Sequence, residues 1–398
     1  MEKALKYNFT QSACREDTNA EKYTLREQLF ATNNVLPVWV ADMDIDTPCF
    51  VLDAVKKRLE HPIIGYEEVP TSAFKAQIEW MNKEHATSFE LEDMLYSHSV
   101  VASMSLAIDA FSDVGDKVIV HTPVYPPFFH SVLEHNRELL KNPLKQNEQG
   151  KYVFDIEDLK SKIDKNTKLL LLCSPHNPVG RVWQKEELEE ILKVCLEHNI
   201  VVFSDEIHSD LVYAPNKHIP FVSISPEARQ ICITAIGVGK TFNMAGFAMS
   251  SVAIPNKELR EKFIQSYKRV HLAQGSVLSH VAFEAAYVQG KEWLEELKLH
   301  LYKNYQMLLE VCEKYNDKIK LVPIEATYLA WLDCRGMKIS NSEIRRFFIE
   351  DAKLGLNNGL SFSKEGSGFM RLNFAVSTEQ MLEVVKRLDE ALALKYKK

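Results

Sequence analysis

The sequence predicts an α/β protein, with a large domain built on a mostly parallel sheet between helices and a smaller α+β domain beside it. Three observations lead there. Five short, continuously apolar runs recur through the middle of the chain, a helical pattern separates two of them, and the last third changes to a more alternating pattern. Strands buried on both faces read as continuous rather than alternating apolar runs, and parallel strands need helical crossovers.

Taken in order, "VVASMSLAIDAF" (100–111) reads as a helix that begins just after Ser99. "KVIVHTP" (117–123), "KLLLLCSP" (168–175), "NIVVFSDE" (199–206), "QICITAIG" (230–237) and "SVAIP" (251–255) read as buried strands. Between the second and third of these, "KEELEEILKVCLEHN" (185–199) places Leu188, Ile191, Leu192 and Cys195 on one helical face. Further on, "VPIEATYLAWLDC" (322–334) alternates more, "GFMRLNFAV" (368–376) is another strand, and "TEQMLEVVKRLDEALALKYKK" ends the chain as an amphipathic helix. A chain of 398 residues is long enough for two domains.

Composition narrows the function classes. Hydrophobic content of 46% with 26% charged residues is ordinary for a soluble globular protein, and a net charge of -7 argues against nucleic-acid binding. Apolar runs such as Leu169 to Cys173 are too short to span a bilayer, and the opening residues lack the apolar core of a signal peptide. Seven cysteines without a CxxC pair argue against a disulfide framework, and thirteen histidines without an HExxH pattern argue against a metal site. The expectation is a cytoplasmic protein with no metal, nucleic-acid or membrane partner.

"GVGKT" (237–241) resembles the end of a phosphate-binding loop, but the match fails when counted. The first glycine of such a loop would fall at position 234, which is Thr234, and the segment after Lys240 is broken by Gly246. What remains is a lysine just past the carboxyl end of a strand, the edge where open parallel sheets hold ligands. Asn177 and Asp205 occupy the same kind of position. An amide, a carboxylate and an amine at successive strand ends suit pyridoxal 5'-phosphate. The amine binds the aldehyde covalently, the carboxylate keeps the pyridine nitrogen protonated so that the ring can absorb electrons, and the amide donates to the ring phenolate.

The wording of the sequence then becomes specific. "SPHNPVGRVW" (174–183), "SDEIHSDLVY" (204–213) and "KTFNMAGF" (240–247) resemble the signature blocks of fold-type I, aspartate-aminotransferase-like enzymes. "WVADMDIDTP" (39–48), "HPIIGYE" (61–67) and "HTPVYPPFF" (121–129) resemble the cystathionine β-lyase, or carbon–sulfur lyase, branch of MalY/PatB type. The resemblance implies a large cofactor-binding domain over 46–285 and a small domain over 286–398, with 1–45 belonging to the latter. It implies that Lys240 and Tyr125 are catalytic, Lys240 as Schiff-base lysine and proton shuttle and Tyr125 stacked on the ring. Asp205 would pair with the pyridinium and Asn177 with the phenolate oxygen, with His208 near it. The amides of Val100 and Val101 would face the phosphate, which Tyr66 reaches from the neighbouring subunit of a homodimer with composite sites. Arg371 would clamp the substrate carboxylate, with Ala41 and Tyr66 on the substrate side.

The sequence also departs from the family pattern. The serine usual before the lysine is Gly239, the arginine usual eight residues after it is Ala248, and the glycine of a Gly-Val-Val turn is Ser99. Two side chains that hold phosphate are therefore absent, and weaker cofactor retention is expected; one neutral hydrogen bond is worth about 1 kcal/mol. The activity implied is β-elimination on cystathionine or another S-substituted cysteine, giving a thiol, pyruvate and ammonia. The Asn, Asp and Lys residues serve an aminotransferase equally well, and the departures leave room for a catalytically weak regulatory or cofactor-binding protein.

Overall fold

The computed structural model describes residues 6–271 and 275–396. The chain divides into two compact units, one made of Thr47–Asn177 and Arg181–Glu292, the other of Met1–Asp46, Pro178–Gly180 and Trp293–Lys398.

The first unit is organised on a seven-stranded sheet of β1 (Met94–Ser97), β2 (Lys117–Thr122), β3 (Glu138–Pro143), β4 (Thr167–Cys173), β5 (Val201–Asp205), β6 (Cys232–Gly237) and β7 (Ser250–Ala253). Their order is β1-β7-β6-β5-β4-β2-β3. The five apolar runs are all strands, and β2 to β6 are parallel where they pair, while β7 runs antiparallel to both β6 and β1. The two strands without a clear apolar run, β1 and β3, are the sheet edges.

Helices α1 (Cys49–Leu59), α2 (Thr71–Glu84), α3 (Val100–Phe111), α4 (Lys185–His198), α5 (Lys257–Arg269) and α6 (Val277–Gln289) belong to the same unit. α3 begins where expected. Ser99 stands at its N-cap and its hydroxyl accepts the Ala102 N–H at 3.1 Å. It buries Met104, Ala107 and Ile108 against Val120, Leu171 and Phe203 of the sheet in one continuous core. α4 carries a capping box between Gln184 and Glu187 and ends at Asn199 in the left-handed conformation. It buries the four residues assigned to its face and also Val194. α6 packs on α1 and α2, so this helix runs intact through the boundary expected at 285.

The second unit contains a four-stranded antiparallel sheet of β8 (Lys320–Leu321), β9 (Leu329–Asp333), β10 (Asn357–Asn358) and β11 (Phe369–Asn373), in the order β8-β9-β11-β10. α7 (Lys291–Lys314) and the closing helix α8 (Thr378–Tyr396) accompany it. The amino-terminal segment is tied to this unit by parallel backbone pairing of Leu36–Pro37 with Leu354–Gly355, a separate two-stranded sheet. A buried charge cluster fixes the segment further. Lys22, with no exposed surface, reaches Asp42 at 2.9 Å and Asp44 at 3.1 Å, and Arg15 reaches both carboxylates at 2.7 Å. Removing one partner from such a group strands a buried charge.

Candidate active site

The carboxyl ends of β4, β5 and β6 lie in register, Cys173 beside Asp205 and Asp205 beside Ala235. The ladder continues past the strands. Ser174 N–H donates to Asp205 O and Glu206 N–H to Ala235 O, both at 2.9 Å. Asp205 therefore stands at the end of a central strand, flanked on one side by the turn that bears Asn177 and on the other by the strand that leads to Lys240.

That flanking turn is itself locked. The Tyr125 N–H donates to Asn177 O at 3.1 Å, His176 Nε2 lies 2.8 Å from Pro123 O, and Trp183 Nε1 donates to Cys173 O at 2.9 Å. Burial pushes His176 down to about 4, so it is neutral and donates its one N–H to the carbonyl. Asn177 and Tyr125 are thus joined backbone to backbone, and the His176 side chain ties the same two loops at Pro123. Asn177 is buried, and Tyr125 is half-buried against the core.

Asp205 is buried, with one carboxylate oxygen 3.1 Å from the Ile207 N–H. Burial pushes its carboxyl up to about 7, against the Ile207 hydrogen bond and the charge of Lys240, which pull it down, while Glu206 pushes it further up. Asp205 and Lys240 are therefore within electrostatic range of one another. The carboxylate lacks enough positive charge around it to stay ionised well below neutrality, and a protonated ring nitrogen is what would complete it.

Lys240 is half-buried in a single helical turn, Val238–Thr241, directly after β6. The absence of a longer helix is what separates this segment from a phosphate-binding loop. Gly237 lies so close to β7 that an added Cβ would stand 2.9 Å from Ser250 Cβ, so a packing constraint explains this glycine. Gly239 has no such reason, since its nearest neighbour would be Ala245 Cα at an ordinary 3.6 Å. Ala248 is exposed in a left-handed conformation, its carbonyl 3.3 Å from the Tyr96 hydroxyl.

The amides of Val100 and Val101 open α3, where the first N–H groups have no acceptor within the helix and carry the positive end of its dipole. His208 is buried in the turn after Asp205, its carbonyl accepting the Leu211 N–H. Tyr66 is fully exposed, at 101% of its reference area. Arg371 and Ala41 belong to the second unit. There Arg371 is buried in β11, donates to Trp39 O at 3.0 Å and Asn357 Oδ1 at 2.7 Å, and lies over the Phe362 ring. The Ala41 carbonyl accepts the Tyr328 hydroxyl at 2.8 Å.

Sequence reasoning missed a set of buried polar residues behind the lysine. Asp210 accepts from Trp80 Nε1 at 2.9 Å and from the Thr241 hydroxyl at 2.9 Å, and lies 2.7 Å from His85 Nε2. Glu206 accepts from Ser204 and the Phe221 N–H and meets His218 Nε2 at 2.8 Å. The available signal was three acids within six residues, Asp205, Glu206 and Asp210, directly after a buried strand, each of which needs a partner.

The donor set fits pyridoxal 5'-phosphate. It offers an amine for the aldehyde, a buried acid short of a cation, an amide and an aromatic ring on adjoining loops, and a helix N-terminus for the phosphate. Such a sheet with such a strand-end set defines a fold-type I pyridoxal-phosphate enzyme. The chain belongs to the family "Aminotransferase class I and II", whose model matches residues 42–388. It is 37% identical to cystathionine beta-lyase PatB of Bacillus subtilis, over 97% of this chain and 100% of that one. It is 30% identical to protein MalY of Escherichia coli, over 97% and 99%. Among solved structures, a pyridoxal-phosphate-bound putative aminotransferase from Clostridium difficile matches with a TM-score of 0.94 at 37% identity, covering 97% of this chain and 100% of that one. Cystalysin of Treponema denticola, which contains pyridoxal 5'-phosphate, also matches at 0.94, with 32% identity over 98% and 100%.

Proposed function

We propose that this chain is a pyridoxal-phosphate-dependent carbon–sulfur lyase that performs β-elimination on cystathionine or a related S-substituted cysteine, releasing a thiol, pyruvate and ammonia. The observation that carries the reading is Asp205, buried at a strand end, pushed up to about 7, and set against the charge of Lys240. Full-length likeness to a cystathionine β-lyase supports elimination as the reaction.

Pyridoxal phosphate supplies the electron sink; the protein supplies geometry and protons. Lys240 would hold the cofactor through its amine, and the same Nζ would accept the substrate α-proton when free. Asp205 would pair with the ring nitrogen, Asn177 would donate to the phenolate oxygen with His208 near it, and Tyr125 would cover the ring face. The Val100 and Val101 amides would meet the phosphate, and Arg371 would take the substrate carboxylate as a two-pronged donor, with Ala41 on the substrate side.

The active form is a homodimer in which Tyr66 completes the partner's site. Leu52, Leu59, Ile63, Ile64, Tyr66 and Val288 are large apolar side chains exposed on α1, the segment after it, and α6. α1 and α6 pack on one another, and exposed apolar side chains grouped on neighbouring elements mark an interaction surface. The chain works in the cytoplasm, a reading supported by seven free thiols, and no described helix is long and apolar enough to cross a membrane.

The test has two steps. The protein supplied with pyridoxal phosphate should yield a borohydride-trapped adduct at Lys240, and it should form pyruvate from cystathionine without any added 2-oxo acid. Transamination, which the likeness to a putative aminotransferase favours, would instead require the 2-oxo acid. An adduct with no turnover on any thioether would mark a regulatory protein.

A further inference from the structure

We infer that Asp210 and Thr241 form a positioning pair that sets where the Lys240 amine stands opposite Asp205; this rests on the reading that Lys240 carries the cofactor. After β5 ends at Asp205, the chain folds through a tight turn, with Ser209 N–H on Glu206 O and Leu211 N–H on His208 O. The turn brings the acid five residues on, Asp210, to the lysine segment. The Thr241 hydroxyl donates to one Asp210 oxygen at 2.9 Å. One short stretch, 205–210, thus meets one short stretch, 240–241, at Asp210 and Thr241, and Lys240 lies near enough for its charge to act on Asp205.

Asp210 is fixed in turn by α2. Its other oxygen meets the Trp80 indole N–H at 2.9 Å and His85 Nε2 at 2.7 Å. Burial alone would push His85 down, but the Asp210 hydrogen bond and charge outweigh it and raise it, with Glu206 and Glu84 adding to the effect. Burial likewise works against the Asp210 carboxylate, and the same histidine holds it low, with Trp80 and Thr241 contributing. The raised imidazole and the lowered carboxyl both favour the charged pair, which is closed at 2.7 Å. Trp80 also packs edge-on against Phe242 with ring centroids 5.9 Å apart, and Tyr287 contacts both rings. Residues 241 and 242 are therefore anchored side by side.

On the amino-terminal flank, Gly237 is held in β6 against β7 and Val238 is buried, so only Gly239 leaves the backbone without a side-chain contact next to the lysine. With no side chain at 239 to fasten that flank, the anchors at 241 and 242 determine the direction of the lysine. A structural role alone would not require charge, because a buried ion pair is a poor source of stability compared with apolar packing.

The experiment compares Thr241→Val, which keeps shape and loses the hydroxyl, with Thr241→Ser, which keeps the hydroxyl. Cofactor-free protein is mixed with pyridoxal phosphate, and the rate of covalent attachment at Lys240 is followed by absorbance. The same two variants are made in a Lys240→Ala background, where non-covalent affinity is read by fluorescence quenching. Thr241→Val should slow attachment about tenfold, as expected for a misplaced reacting group, while Thr241→Ser stays within about twofold. In the Lys240→Ala background neither variant should change affinity by more than about twofold. Equal losses in both backgrounds, an unchanged attachment rate, or no rescue by serine would overturn the inference. If Thr241→Val does not fold, Asp210→Asn, which keeps an acceptor for Trp80, must show the same slowing confined to the Lys240 background. Wild-type protein that forms no adduct would instead sink the reading of Lys240 itself.

Discussion

Asp205→Asn in the cofactor-free protein is the sharpest test of the electrostatics. The carboxyl is pushed from 3.8 to about 7 by burial, and each tenfold change in proton affinity is worth about 1.4 kcal/mol. An acid raised in the folded state stabilises fully below its unfolded value and loses that contribution as the pH rises through its folded value. The wild-type fold should therefore lose about 4 kcal/mol between pH 4 and pH 8 through this one group, whereas an asparagine loses nothing and still accepts the Ile207 N–H. Asp205→Asn should gain about 1–2 kcal/mol over wild type at pH 5 and about 4 kcal/mol above pH 8. In a unit of this size that is about 10 °C in unfolding midpoint at the higher pH. Thermal unfolding of stripped proteins across this range measures it. Adding pyridoxal phosphate should then stabilise wild type more than the variant. A gap that is flat with pH, or reversed, would refute the claim that Asp205 is an acid stored without its cation.

Three other perturbations follow from named contacts. Gly239→Ser meets only ordinary contacts, so it should fold normally and slow cofactor loss on dialysis about tenfold; equal retention would show that the missing hydroxyl holds nothing. Gly237→Ala forces a Cβ to 2.9 Å from Ser250 Cβ between paired strands, so it should cost about 1–3 kcal/mol in chemical unfolding, and a neutral result would contradict the packing reason for that glycine. Mixing inactive Tyr66→Ala and Lys240→Ala subunits should restore activity, because a hybrid dimer with composite sites holds one site free of both changes; no recovery would place Tyr66 in its own subunit's site.

What was legible in the sequence divides along physical lines. Strands buried on both faces, such as "LLLLC" and "IVVFS", leave a continuous apolar run, and all five such runs are strands. The edge strands Met94–Ser97 and Glu138–Pro143 were not read, because an edge carries mixed residues and has a neighbour on one side only. The reversed direction of β7 was equally invisible, since periodicity encodes which face is buried and not which way a strand runs. The positions of Lys240, Asp205 and Asn177 past strand ends were readable because strand ends are local. His85 and Asp210, 125 residues apart in sequence, meet only through the packing of α2, and no local pattern announces them.

The two acids of the segment 205–210 show how one strand end serves two purposes. Asp210 has its full complement of donors, Trp80, His85 and Thr241, and remains ionised although buried. Asp205, five residues earlier and equally buried, has one backbone N–H and a lysine charge, and is pushed up. The difference is not burial but the number of donors the fold supplies. A fold that satisfies Asp210 with three donors places, among the described residues, one on Asp205, which is the arrangement the proposed pairing with a ring nitrogen would need. Local destabilisation of this kind persists only where surrounding structure over-determines it, and here the turn is over-determined by Asp210, which Thr241, Trp80 and His85 hold five residues after Asp205.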